Sequence, residues 1–137
     1  MKLTRNTKRA NGMTLLELTV VILVLLSLIS ILFVGARAWK KGSDRSANIM
    51  NVRNIQQAVR GYENMNQLPL NAAIDQTTVI FGNDGYLKEP TSPAGNAYGY
   101  TGTVGAPGVL FVNNAATVDG AEYWYTAAEE AAKTSDW

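Results

Sequence analysis

The alternation of apolar and polar positions divides this chain into three regimes. Residues 1–12 carry Lys2, Arg5, Lys8 and Arg9 among polar neighbours, with no acid. An apolar run follows to Val34, broken only by Thr14, Glu17, Thr19, Ser27 and Ser30. At 1.5 Å per residue, positions 13–34 span about 33 Å, enough for a hydrocarbon core of about 30 Å. Over residues 47–66 the pattern becomes helical. Val52, Ile55, Ala58, Val59, Tyr62 and Met65 fall within an arc of about 140°, and Arg53, Gln57, Arg60 and Asn64 take the other side. No proline lies between Met13 and Gln67. The pattern therefore predicts one helix from near Met13 to about Asn66, its first half in lipid and its second half packed on a small domain. Pro69 stops it, because proline lacks the N–H and pushes the preceding residue toward an extended conformation.

From Leu68 onward Gly, Asn, Thr, Tyr and Pro dominate, as in loops and short strands. Residues 73–82 admit two readings: β-branched Thr77-Thr78-Val79-Ile80-Phe81 favours a strand, whereas Ala72-Ala73-Ile74 can open a short helix ending near Gly82, which is the first expectation. Ala97–Thr101, Val109–Asn113, Ala115–Val118 and Ala121–Thr126 are the strand candidates, and Asp119-Gly120 is a two-residue hairpin signal. The expected fold class is α+β, with a three- or four-stranded antiparallel sheet covering the amphipathic stripe of the long helix. The tail from Ala127 to Trp137 adds one or two helical turns or stays loose.

Composition narrows the chemistry. The 137 residues include no cysteine and no histidine. No disulfide can staple the domain, and the usual general base and commonest metal ligand are missing, so the chain is not expected to be an enzyme. The formal charge is +1 from 12 basic and 11 acidic residues. Without the four leader cations, eight basic residues face 11 acidic ones, giving −3. Nucleic acid is not an expected partner of such a surface.

Glu17 is the residue that needs a cause. An acid at the centre of a membrane helix costs about 2.5–3.5 kcal/mol on insertion scales, and less near the end, so it marks a function or a partner. Cleavage between Gly12 and Met13 would supply one, since the new α-amine at Met13 is cationic near neutrality and could pair with Glu17 of a neighbouring helix. The basic leader, Gly12, then Met13-Thr14-Leu15-Leu16-Glu17-Leu18 and the apolar run resemble the type IV pilin and pseudopilin family. The resemblance covers roughly the first quarter of the chain. It implies cleavage after Gly12 by prepilin peptidase, N-methylation of Met13, and a register-setting role for Glu17 in filament assembly. Two features depart from the family pattern: Met13 stands where Phe is usual, and the apolar helix has no proline. Gly85-Tyr86-Leu87-Lys88-Glu89-Pro90, with Ser92-Pro93-Ala94-Gly95 and Tyr98-Gly99-Tyr100, resembles the segment after the long helix in pseudopilins of the G and H type.

The resemblance implies a leader at 1–12, a transmembrane and filament-core helix at 13–34, its amphipathic continuation at 35–66, and a small β-rich periplasmic domain at 67–137. The expected protein is a type II secretion pseudopilin precursor in a bacterial inner membrane. Its implied partners are prepilin peptidase, further copies of itself, other pseudopilins, the inner-membrane assembly platform and membrane lipid. A type IV pilus subunit serving adhesion, motility or DNA uptake is the alternative, and a membrane-tethered domain that never polymerises is the third. Charge does not orient the span, because Arg37, Lys40, Lys41 and Arg45 balance the leader; the cytoplasmic leader is implied by the resemblance. Ala36-Arg37-Ala38 resembles a secretory cleavage site, but the apolar core is longer than such signals carry.

Two further patterns have plain structural uses. Arg37, Lys41 and Arg45 form a basic stripe, read as a solvated or headgroup-facing collar or as a contact for acidic groups of a neighbouring subunit. Asn113, Asn114, Asp119 and Glu122 cluster around a turn, where the family resemblance implies a calcium site. Calcium wants six to eight oxygens, and no acidic loop is present, so turn formation is the first expectation and no cofactor is assigned. Tyr98, Tyr100, Tyr123, Trp124 and Tyr125 read as core and cross-strand pairs ahead of a binding surface.

Overall fold

The computed structural model describes Gly12 and residues 14–137; positions 1–11 and Met13 lie outside the described residues. The first element, α1, is one helix of 52 residues, Leu15–Asn66. It begins where Thr14 and Glu17 satisfy each other: the Thr14 N–H donates to Glu17 Oε2 at 3.0 Å, and the Glu17 N–H donates to Thr14 Oγ1 at 3.3 Å. This reciprocal cap satisfies helix-end donors that lipid would leave bare. The helix ends at Gln67, which adopts φ 50°, while the Leu68 N–H reaches back to the Glu63 carbonyl at 3.1 Å. That is a left-handed C-cap at a position that favours glycine. Gln67 is exposed, so Gln67→Gly should raise stability by about 1 kcal/mol or less, read from thermal unfolding of the full chain in detergent.

The chain divides into two compact units, Met1–Ala38 and Trp39–Trp137. In the first, every residue from Leu15 to Ala38 is exposed. The hydroxyls of Thr19, Ser27 and Ser30 donate to the carbonyls of Leu16, Leu23 and Leu26 at 2.8 Å each, so they need no partner outside the helix. Among the described residues, α1 is the one helix long and apolar enough to cross a membrane.

The second unit packs loops and short turns onto the later part of α1. Val52, Ile55 and Val59 are buried against Ile74, Ile80, Val104, Phe111 and Trp124. A π-helical turn, Gln76–Ile80, is capped by Asp75, whose carboxylate accepts from the Thr77 N–H and hydroxyl. It stands where a short helix was expected. A 3₁₀ turn covers Ala121–Tyr123, and α2, Ala127–Lys133, supplies the expected helical tail with its own Thr126/Glu129 capping box.

The antiparallel sheet does not form, so the α+β expectation is corrected: the described residues contain no β-strand. Two isolated antiparallel bridges, Ala73 with Thr103 and Tyr100 with Val112, are what remains of it. Around the second bridge, the Thr101 N–H reaches the Phe111 carbonyl and the Asn113 N–H reaches the Gly99 carbonyl, each at 2.9 Å. The ladder stops there because side-chain amides take the next backbone groups. Gln56 of α1 donates to the Val109 carbonyl at 3.2 Å and accepts the Phe111 N–H at 2.8 Å. Asn114 accepts the Gly99 N–H and donates to the Ala97 carbonyl, and Asn113 donates to the Tyr100 carbonyl. Each group is satisfied without a second strand. Gly99 permits this, since a Cβ there would collide with the Asn113 side-chain oxygen.

The other strand candidates fail for local reasons. Residues 115–118 curl back, the Thr117 and Val118 N–H groups both reaching the Asn114 carbonyl. Asp119-Gly120 is no hairpin: its carboxylate is used at long range, accepting from Ser92 Oγ at 2.5 Å, the Ala94 N–H at 3.3 Å and Asn96 Nδ2 at 3.1 Å. The buried stripe of α1 is also shifted from expectation. Met65 is 72% exposed, whereas Asn48 and Gln56 are buried.

Candidate functional site

The residues expected to govern processing and assembly sit at the start of α1. Gly12 is exposed, and nothing stands within 4 Å of where a Cβ would lie, so this backbone is uncrowded. Met13, the expected methylation site, lies outside the described residues. Glu17 is held by Thr14 in the N-terminal cap, one residue beyond the Gly12–Met13 bond. The spacing Thr14-x-x-Glu17 is itself the signal of a capping box, and it gives the lone carboxylate a role inside one chain. It also aims the carboxylate toward its own helix N-terminus, where positive backbone charge accumulates.

The following three turns or so present an open apolar face. Thr19, Ile22, Leu23, Leu26, Ser27 and Ser30 line a shallow groove whose hydroxyls are already bonded to their own backbone. Between helices in lipid, such small hydroxyl residues allow close approach at no cost in unpaired polar groups.

The basic stripe separates into different uses. The Arg37 guanidinium lies 4.4 Å from the centre of the Phe33 ring. Lys41 pairs with Glu122 at 3.1 Å and Arg45 with Glu129 at 3.3 Å, within one chain. The Thr126 N–H and hydroxyl, with smaller help from Arg45 and Lys133, hold the Glu129 carboxyl below the usual carboxylate range. Arg60, predicted on the solvent side, instead ties α1 to the loops, donating to the carbonyls of Gly105 at 2.7 Å, Ala106 at 2.9 Å and Trp137 at 3.2 Å.

The oxygen donors near residues 113–122 are engaged in building loops. Asn113 and Asn114 hold the Ala97–Tyr100 backbone, Asp119 holds the 92–96 loop, and Glu122 meets Lys41. No group of three or more carboxylates that could hold a metal stands together among the described residues. Aromatic residues pack as two clusters, Phe81–Tyr100–Phe111 and Trp124–Tyr125–Trp137, and a separate Tyr62–Tyr86 pair, with neighbouring centroids 5.2 to 6.5 Å apart. Burial, with the Glu89 carboxylate adding to it, pushes the Tyr100 hydroxyl well above its ordinary value.

Periodicity did not reveal the buried amides of α1. Asn48, fully buried, donates to the carbonyls of Ala115 at 3.3 Å and Tyr123 at 2.9 Å, and accepts the Tyr98 hydroxyl at 2.7 Å. Its spacing of eight from Gln56 places both on one helix face, a signal that the polar identity of the residues hid. Comparison with protein-family models, curated proteins and solved structures gives no match to this chain.

Proposed function

We propose that the chain is a pseudopilin precursor, a structural subunit cut after Gly12 by prepilin peptidase, methylated at Met13 and assembled into a type II secretion pseudopilus. The observation that carries this is the join of Gly12-Met13-Thr14-Leu15-Leu16-Glu17 to an apolar helix with no cover of its own. Twenty exposed positions from Leu15 to Val34 need either lipid or other helices around them, and a filament supplies helices where a membrane supplied lipid. The subunit would wait as a single span in the inner membrane with residues 39–137 in the periplasm. The type IV pilus subunit is the same proposal with a different destination.

Intact mass and N-terminal sequence of the membrane-bound protein, produced with and without active prepilin peptidase, test the proposal. The expected product begins at N-methylated Met13 only when the enzyme is active. A chain that still begins at Met1, or begins after Ala38, overturns it. A second reading, a tethered domain that does not polymerise, is favoured by the Thr14–Glu17 cap, which already employs the carboxylate within one chain.

A further inference from the structure

We propose that Trp39, with Lys40 beside it, anchors the chain in the headgroup layer of a lipid bilayer and sets how deep the apolar segment sits. The inference rests on the membrane-spanning reading of Leu15–Val34. Trp39 is 80% exposed, whereas Trp124 is 2% exposed and Trp137 packs against it. Helix geometry explains the difference: at about 100° per residue, Trp39 lies roughly 180° around α1 from Asn48, Ile55 and Val59, which face the core. The folded unit therefore cannot cover it. An indole has an apolar body and one N–H donor, the combination that settles at membrane–water interfaces.

Depth and charge agree with that placement. Trp39 follows Val34 by five positions, about 7.5 Å of helix, and the interfacial layer on each side of a bilayer is about 5–7 Å thick. Lys41 and Arg45 are committed to Glu122 and Glu129, while Lys40 is exposed and makes no ion pair among the described residues. Its ammonium, next to Trp39, is placed to meet lipid phosphate, as is the guanidinium of Arg37, which likewise makes no ion pair among the described residues and lies over the Phe33 ring.

The test uses the full chain in phosphatidylcholine vesicles, with lipids brominated near the headgroup end or near the methyl end of the acyl chain. The Trp39 signal is the difference between the wild type and Trp39→Phe. It should lose most of its intensity to bromines near the headgroup, less to bromines near the methyl end, and little to aqueous iodide. Alkaline extraction of the same vesicles reports the span separately. Resistance to extraction with a Trp39 signal open to iodide and indifferent to bromine overturns the anchor and leaves the span standing, whereas release by alkali overturns both. Shielding from both quenchers that grows with protein density means a second copy covers Trp39, and also overturns it. In vesicles containing phosphatidylglycerol, Lys40→Glu should raise quenching of Trp39 by acrylamide, a neutral aqueous quencher whose access does not depend on the charge introduced; unchanged quenching overturns the part assigned to Lys40.

Discussion

Asn48→Ala should unfold much of the unit formed by Trp39–Trp137, lowering its stability by about 3–5 kcal/mol, a large share of the roughly 5–15 kcal/mol typical of a whole domain. The size follows from what Asn48 does. It is fully buried and holds three groups, the Ala115 and Tyr123 carbonyls and the Tyr98 hydroxyl, from loops that have no sheet to hold them. Truncation leaves the two buried carbonyls without that donor, at about 1–3 kcal/mol each, takes from the Tyr98 hydroxyl its acceptor while Asn51 still donates to it at 3.3 Å, and opens a small cavity. Asn51→Ala is the control. Asn51 is only partly buried and donates to the Thr91 carbonyl and the Tyr98 hydroxyl, so its loss should cost about 1 kcal/mol. Guanidinium unfolding of the full chain in detergent, followed by near-ultraviolet circular dichroism, reads both. In a double-mutant cycle, Asn48→Ala and Tyr98→Phe should be less than additive, because they remove the same bond. A fall of under about 1 kcal/mol for Asn48→Ala would mean that the loops are held by apolar packing alone.

The same amides explain what the sequence made legible and what it did not. The long helix was legible because nothing opposes it: fifty-two residues without proline, with an apolar run and then a 3.6-residue period, leave few other structures. Its end was legible from Pro69, although the chain stops helical pairing at Gln67 by a left-handed turn that no glycine announces. The sheet was misjudged because β-branched and aromatic residues in 97–126 fit strands and core loops equally well. What decides between the two is the partner of each backbone group, and here those partners are Gln56, Asn113 and Asn114. A periodicity count assigns such residues to the solvent side. Met65 erred in the opposite direction: it lies on the apolar stripe, yet it is 72% exposed while Tyr62 still packs against the core.

Glu17 carries the remaining ambiguity between a role in one chain and a role between chains, and Glu17→Gln separates them. Glutamine at this position can still accept the Thr14 N–H, so the cap survives and only the charge is lost. Glu17→Ala removes both. Loss of the cap frays the first turn of a 52-residue helix at a cost of about 0.5–2 kcal/mol. Loss of the proposed ion pair with a neighbour's Met13 amine, taken at about 4 Å, would remove about 4 kcal/mol at an effective dielectric of about 20, on the order of a thousandfold in each subunit addition. The charge term is the larger, so both variants should be cut and inserted normally and both should fail to build filaments, to similar extents. Filament yield, measured by shearing and electron microscopy alongside the N-terminal mass, decides. Filaments from Glu17→Gln but not from Glu17→Ala would assign the carboxylate to capping and remove the charge pairing. Normal filaments from both would remove Glu17 from assembly altogether. No filaments from any form, the wild type included, would leave the Thr14–Glu17 bond as the residue's whole function and favour the tethered domain.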